Sequence, residues 1–327
     1  MVDVARAAGV SQKTVSRVVN AEPYVTDEVR DRVHRAIDTL GFRPNQAART
    51  LVTRRSHRIG VVTMGGTILH GPVSVLAGVE DEARQAGYAL SVVSTAPGGG
   101  REIQDAVDSL VSQGVEAIII SEPQDFGDGM IDVPDGIEVL TFNSRPVTSS
   151  SREFLAATDE AAGARAATRH LMASAPIVDH ISGPLDWLAS RTRLRGWQDA
   201  LEEAGIEPPD AVQGDWSPRS GVEAMRTLLA RGTRAVFIAN DQMAVGAMSA
   251  IHEAGLRTGI DVALVGFDDL DVAEFLTPPL SSVQRDFRAV SRVGMHELLA
   301  RLDGAAPGPP PDPLPSRLIV RASSASL

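Results

Sequence analysis

From residue 59 to residue 267 the chain alternates apolar runs of strand length with stretches of helical length. The strand-length runs are Ile59–Met64, Ala89–Thr95, Ala117–Ser121, Val139–Phe142, Ile177–Ser182, Ala235–Ala239 and Val262–Phe267. Between them lie helix-compatible stretches such as Val73–Ala86, Glu102–Gln113, Glu160–Ala173, Ala189–Ala204 and Asp241–Ala254. Such alternation predicts parallel sheets with helices on both faces. Seven or more units exceed one small sheet, and Asn143–Ser151 is a polar break between two similar halves. The expected body is therefore α/β, two doubly wound lobes.

Charge divides the chain differently. The 327 residues carry a formal net charge of −11, yet residues 1–58 hold 11 Arg/Lys against 6 Asp/Glu. A basic head on an acidic body is what a nucleic-acid module fused to another kind of domain shows. A solvated surface on an ordinary helix cluster gives the same arithmetic. Cysteine is absent, which removes disulfides, thiolate metal sites and cysteine nucleophiles together. No apolar run approaches the roughly 20 residues that span a bilayer. MVDVARAAGVSQK lacks a basic region followed by an apolar block, so the expected location is the cytoplasm.

The basic head reads as three short helices. Asp3–Ala8 places Val4, Ala5 and Ala8 at helical spacing, and Gly9–Val10 makes a tight turn. Ser11 is a candidate cap for Gln12–Asn20, which buries Val15, Val18 and Val19 and leaves Gln12, Lys13, Ser16 and Arg17 outside. A third helix follows Thr26 as cap, with Val29, Val33, Ile37 and Leu40 repeating at three and four residues and Gly41 as its stop. Small Ala5, turn-forming Gly9 and the valines fit a helix-turn-helix, whose second helix presents its first residues to base edges in the major groove. A plain helical hairpin fits the same spacing. Beyond Pro44, the segment Asn45–Leu51 has helical composition but only about two turns, too few to be stable alone in water.

In open α/β sheets ligands bind beyond the carboxyl ends of the strands. Asn240 follows the run Ala235–Ala239, Asp268 follows Val262–Phe267, and Arg193 lies early in the helix after Ile177–Ser182. Arg, Asn and Asp each offer two hydrogen-bonding atoms suited to vicinal hydroxyls, and Trp216 can stack on a sugar ring. On spacing alone Asn240 is equally a helix cap, Asp268 a turn residue and Trp216 a core residue.

VDVARAAGVSQKTVSRVVN and YVTDEVRDRVHRAIDTLGFRPNQAARTL closely resemble the DNA-binding head of the LacI/GalR repressor family. The resemblance runs the length of the chain. GPLDWLASRTRLRGW, GDWSPRSG, ANDQMAVGAM and VGFDDLDVAEFLTPPLSSVQRDFR are most similar to the lactose-operon branch of that family. It implies a helix-turn-helix head at 1–44, a hinge helix and linker at 45–57, and a periplasmic-binding-protein-like core at 58–327. It divides that core into an N-lobe of about 58–156 and 286–313 and a C-lobe of about 157–285 and 314–322, with three crossovers. It implies a homodimer on a palindromic operator, in which paired hinge helices push Leu51 into the minor groove, with Ala48 and Asn45 beside it. It places Arg193, Asn240, Asp268, Trp216 and Asn143 in a sugar site walled by Phe287, Leu69, Gly71, Pro72 and Val75.

Departures from the family pattern bear on details. The family has a few more residues before Asp3, including a capping Thr or Ser, whereas here Met1 falls inside the first helix. Asn143 replaces an acidic residue, Arg285 a Gln and Ala189 a Ser, changes that bear on which sugar is bound. The terminal SRLIVRASSASL carries no leucine heptads, so a dimer without tetramer formation is expected.

Enzyme signatures are missing: no G-x-S-x-G, no G-x-x-x-x-G-K-[ST] and no H-E-x-x-H. His296–Glu297 lacks a second histidine, the acids Asp268, Asp269 and Asp271 form no oxygen-ligand loop, and Pro97–Gly100 reads as a flexible loop. The expectation is a sugar-responsive repressor, not an enzyme, with operator DNA and a small sugar as partners and no cofactor, metal or membrane. A sugar binder without DNA activity, or a regulator with a corepressor, is the alternative.

Overall fold

The computed structural model describes residues 1–19, 25–42, 55–64, 70–95, 100–121, 131–143 and 145–324. The chain divides into two compact units, Met1–His57 and Arg58–Leu327. Asn45, Ala48, Leu51, Leu69 and Pro97–Gly99 lie outside the described residues.

The first unit holds α1 (Val2–Ala8), α2 (Gln12–Val19) and α3 (Asp27–Leu40). Val4, Ala5, Ala8, Val15, Val18, Val33 and Ala36 form its buried core, so each helix contributes one apolar face. Gly9 ends α1 at φ 64°, a conformation that costs a β-carbon dearly and glycine little. Ser11 caps α2 as expected, its Oγ accepting from the Thr14 N–H at 3.1 Å. Two expectations are corrected. Met1 does not lie inside α1 but flanks it, with no side-chain cap bond. Thr26 occupies the cap position of α3 in extended conformation, yet its side chain makes no cap bond; Asp27 and Glu28 complement the helix dipole in the first turn instead.

The second unit contains two sheets. The first comprises β1 (Arg58–Met64), β2 (Ala89–Thr95), β3 (Ala117–Ser121), β4 (Glu138–Phe142) and β5 (Glu153–Ala156) in the order β2-β1-β3-β4-β5. All its pairings are parallel. Between these strands run α4 (His70–Gln85) and α5 (Gly100–Ser112). Alternation along the strands divides the core into two faces. Ile59, Val61, Ala117 and Ile119 pack toward Val75 and Val79 of α4, while Val62, Ile118 and Ile120 pack toward Ile103, Val107 and Leu110 of α5.

The polar stretch Asn143–Ser151 does not separate the halves as the sequence pattern implies. It precedes β5, which still pairs with β4. The strand was hidden because EFLA is short and begins with a charge.

β6 (Thr158–Asp159) and α6 (Glu160–Met172) then lead into the second sheet. That sheet is built from β7 (Asp179–Ser182), β8 (Val212–Gln213), β9 (Ala235–Ile238), β10 (Ala263–Asp268), β11 (Ser281–Gln284) and β13 (Arg317–Ile319), with the two-residue β12 (Leu314–Pro315) preceding β13. Its order is β13-β11-β10-β9-β7-β8, and β13 alone runs antiparallel to its neighbour. α7 (Leu188–Glu203), α8 (Pro218–Ala230) and α9 (Asp241–Glu253) connect its strands. After β11 the chain returns to the first sheet as α10 (Phe287–Leu302), whose Val290, Met295 and Leu298 join the core beside β1 and β4. It then crosses back through β12, which pairs with β6. Three passages, near 156–160, 284–287 and 314–317, therefore join the sheets.

Two packing features generate predictions. α8 and α9 approach backbone to backbone: a β-carbon at Gly246 would lie 1.8 Å from the Pro218 carbonyl oxygen, and one at Gly221 2.1 Å from that of Met243. Gly246→Ala should therefore destabilise the second unit by about 1–3 kcal/mol, read from urea unfolding. An unchanged midpoint would contradict the packing. His180 on β7 is fully buried between Trp197 and Phe237, with ring centroids at 5.2 and 4.9 Å, and its Nδ1 lies 2.9 Å from the Phe237 carbonyl oxygen. Burial pushes its pKa down from 6.5 to about 4. The unfolded chain takes up a proton at this residue that the native form refuses. Its contribution is therefore complete above pH 6.5 and is lost as pH falls toward 4. In His180→Phe that part of the pH dependence should vanish from denaturation curves taken between pH 7 and 4.5.

Candidate functional site

A cleft with about 700 Å³ of empty space, including its open mouth, lies at the carboxyl ends of strands of both sheets. From the first sheet come Ser121 at the end of β3, Phe142 and Asn143 at the end of β4, and Gly71, Pro72 and Val75 of α4. From the second come Trp187, Ala189, Arg193, Trp216, Asn240, Gln242, Asp268 and Leu270. Glu160, Arg285 and Phe287 line it from the passages between the sheets.

The floor is ionic. Arg193, 3% exposed, donates from Nε to Glu160 Oε2 at 2.9 Å and from Nη1 to the Ala239 carbonyl. Arg285 donates from Nη1 to Glu160 Oε1, and from Nε and Nη2 to Asp268 Oδ1 at 3.0 and 2.7 Å. Arg193 Nη2 lies 3.5 Å from the same Asp268 oxygen. Burial alone would raise the Glu160 carboxyl; the two guanidiniums more than offset it and hold it below the ordinary carboxylate range. Arg285 is likewise penalised by burial, but Glu160 and Asp268 raise its pKa above the ordinary arginine value. Both guanidinium groups also lie over aromatic rings, Arg193 at 4.0 Å from the Phe267 centroid and Arg285 at 4.3 Å from that of Phe287.

Around this floor the uncharged groups are held tightly. Asn240 is both things its sequence context allowed. Its Oδ1 caps α9 by accepting from the Met243 N–H at 2.9 Å, its Nδ2 donates to the Trp216 carbonyl at 3.1 Å, and the residue lines the cleft. Asn143 Oδ1 accepts from the N–H of Thr158 at 2.8 Å and its hydroxyl at 3.2 Å, which ties the first sheet to the first passage. Trp216 packs edge-on to Trp187 at 5.7 Å, and its ring lies so close to Gly183 that a β-carbon there would stand 2.3 Å from it. Its indole N–H finds no acceptor among the described residues. Asp241, beneath the cleft, accepts from Ser282 Oγ at 2.6 Å and the Leu270 N–H at 2.8 Å. Burial still pushes its carboxyl up to about 8.

Backbone strain gathers here. Asn143 (φ 46°), Trp216 (φ 73°), Asp268 (φ 101°) and Asp269 (φ 52°) are non-glycine residues with left-handed backbone. Such conformations cost of order 1–3 kcal/mol each and persist where surrounding bonds over-determine them. Gln284 Nε2 and Arg321 Nη1 hold the Asp269 carboxylate, at 3.0 and 2.7 Å.

Of the residues expected in a sugar site, the cleft brings together Arg193, Asn240, Asp268, Trp216, Asn143, Phe287, Pro72 and Val75. Sequence reasoning missed Glu160, Trp187, Gln242, Leu270, Ser121 and Phe142, and noted Arg285 only as a departure. Glu160 looks like any acid in the first turn of a helix, so its burial left no local signal. Among the described residues no group of three or more potential ligand side chains is placed to hold a metal ion, and no helix is long and apolar enough to cross a membrane. In the separate head unit Gln12, Lys13 and Arg17 are exposed on α2 and Ser16 is half-buried. That leaves one polar face opposite the buried Val15 and Val18.

Comparison with known proteins agrees with both parts. Residues 1–45 match the model of bacterial regulatory proteins of the lacI family, and residues 181–324 that of a periplasmic binding protein-like domain. The lactose operon repressor of Escherichia coli K12 is 34% identical over 309 residues, covering 93% of this chain and 85% of that one. A solved lac repressor dimer bound to operator and the anti-inducer ONPF superposes with a TM-score of 0.85 at 32% identity, over 98% of each chain. The complex of the transcriptional regulator CelR with cellobiose superposes with a TM-score of 0.70 at 29% identity, over 98% of each chain. The chain belongs to the lacI family of bacterial regulatory proteins.

Proposed function

We propose that this protein is a dimeric, sequence-specific transcriptional repressor whose operator affinity is set by a small sugar bound in the cleft. The observation that carries the reading is the convergence of Arg193, Asn240, Asp268 and Trp216, from four separate segments, on one crevice. The similarity to a repressor solved on its operator, and to a regulator solved with cellobiose, supports the same assignment. The cleft then recognises a ligand and does not transform it, and the protein acts in the cytoplasm as a regulator rather than an enzyme.

In this reading residues 1–44 bind DNA, 45–57 form the hinge and 58–327 the effector-binding and dimerisation core. Gln12, Lys13, Ser16 and Arg17 enter the major groove. Gln pairs bidentately with adenine, and Arg or Lys with guanine. Leu51, flanked by Asn45 and Ala48, wedges into the minor groove. Sugar hydroxyls meet Arg193, Asn240, Asp268 and Asn143, and the ring lies against Trp216, Phe287 and the wall of Leu69, Pro72 and Val75. A ligand that prefers one lobe arrangement biases the hinge. A coupling of about 1–3 kcal/mol changes DNA affinity 5- to 150-fold, and sugar binding releases the operator.

Two measurements test this. Thermal unfolding against galactosides and β-linked disaccharides should show a raised midpoint with at least one sugar. A ligand at 100 times its dissociation constant contributes about 2.7 kcal/mol, and Asp268→Ala should abolish the shift. A midpoint that rises equally in the variant would remove Asp268 from the site. Fluorescence anisotropy with operator DNA should give an affinity that falls steeply with salt. Gln12→Ala should cost about 1–3 kcal/mol and relax base preference, and Leu51→Ala should weaken operator binding while leaving sugar binding intact. Unchanged operator affinity in Leu51→Ala would sink the wedge.

A further inference from the structure

Among the described residues that line the cleft, Glu160, Arg193, Asp268 and Arg285 are the charged ones. They form a closed quartet of two guanidiniums and two carboxylates, linked by the contacts Arg193–Glu160, Glu160–Arg285, Arg285–Asp268 and Asp268–Arg193. The titratable groups packed behind it add nothing at neutral pH. Asp241 is pushed up to about 8 and His180 down to about 4, so both are uncharged near pH 7. Asp269, the next carboxylate along the chain, is paired with Arg321 at 2.7 Å.

The guanidinium hydrogen bonds are already directed. Arg193 Nε serves Glu160 and its Nη1 the Ala239 carbonyl. Arg285 Nη1 serves Glu160, while its Nε and Nη2 serve Asp268. Arg285 is itself part of the wall: its Nη2 lies where a β-carbon on Gly71 would approach to 3.1 Å, and its guanidinium covers Phe287. An anionic ligand entering this cleft would be a third negative charge against two cations already balanced by Glu160 and Asp268. Burying a charge without a counterion is costly. Neutral hydroxyls, which both donate and accept, can share the same atoms without disturbing the balance.

We infer that Arg285 is a specificity-determining residue which completes a charge-balanced floor to the cleft, so that the effector is an uncharged sugar and the corresponding sugar acid or sugar phosphate is rejected. The inference rests on the cleft being the effector site and adds the ligand's charge class to it. Without Arg285 the floor would carry two carboxylates against one guanidinium. Without the Glu160 charge it would carry one surplus cation and accept an anion.

The test is thermal unfolding and titration calorimetry of the full chain with matched probes. Glucose, galactose, lactose and cellobiose are set against glucuronate, galacturonate, glucose 6-phosphate and galactose 6-phosphate. In the wild-type protein only uncharged members should bind, with any charged counterpart weaker by about tenfold or more. In Glu160→Gln the ratio of anionic to neutral affinity should rise by at least about tenfold. Tighter binding of an acid or phosphate by the wild type would overturn the inference while leaving the cleft as the sugar site. An unmoved ratio in a folded Glu160→Gln would overturn it likewise. The wild-type comparison decides alone if that variant does not fold. Binding of no probe to either protein would overturn the sugar reading of the cleft and this inference with it.

Discussion

Glu160 is a carboxylate taken almost wholly out of water, at the first turn of α6, directly after the chain's first passage between the sheets. It is tolerable there because two guanidiniums reach it from other segments, Arg193 from α7 and Arg285 from the second passage. Such a buried pair contributes little against a well-packed apolar alternative, but removing one partner leaves an uncompensated charge and costs about 3–5 kcal/mol. The arrangement therefore fixes geometry more than it adds stability. It ties two passages to each other, and the β6–β12 pairing ties the first to the third. The crevice between the sheets is thus held at its base by one ionic knot and one short parallel ladder.

The strained residues rim that knot. Asp268 turns out of β10 in a left-handed conformation to meet Arg285 and Arg193. Asp269 beside it is pinned by Gln284 and by Arg321 of the C-terminal segment. That segment is stitched to the second sheet: Ser323 accepts from the Leu264 N–H through its carbonyl and donates from Oγ to the Leu264 carbonyl. Residues far apart in sequence thus over-determine the few side chains that face the cleft, which is what a site needs if small differences between ligands are to register as differences in free energy.

Much of this was legible beforehand where period and chemistry agree. The strand β3 reads AIIIS in both pattern and structure, since a strand covered on both faces must be apolar throughout. Ser11 and Gly9 announce the turn between α1 and α2 by cap and left-handed residue. Asn240 and Asp268 stand just beyond β-runs, where crevices form. Other features were not legible. β5 was too short and too polar at its start to show a period. Glu160 and Arg285 carry the signature of surface charges, and Trp216 that of a core aromatic. Nothing local to Glu160 or Arg285 reports that the two meet across 125 residues of chain.

The amino-acid sequence by itself determined the architecture: a basic three-helix head, then parallel strands crossed by helices, because alternation, caps and turn residues act over a few neighbours. It also determined the candidate residues at the strand ends. Tertiary structure alone decided which charges are buried and whom they meet. A carboxylate's partner is set by how the three passages bring distant segments together, and desolvation depends on that enclosure rather than on the identity of the adjacent residues.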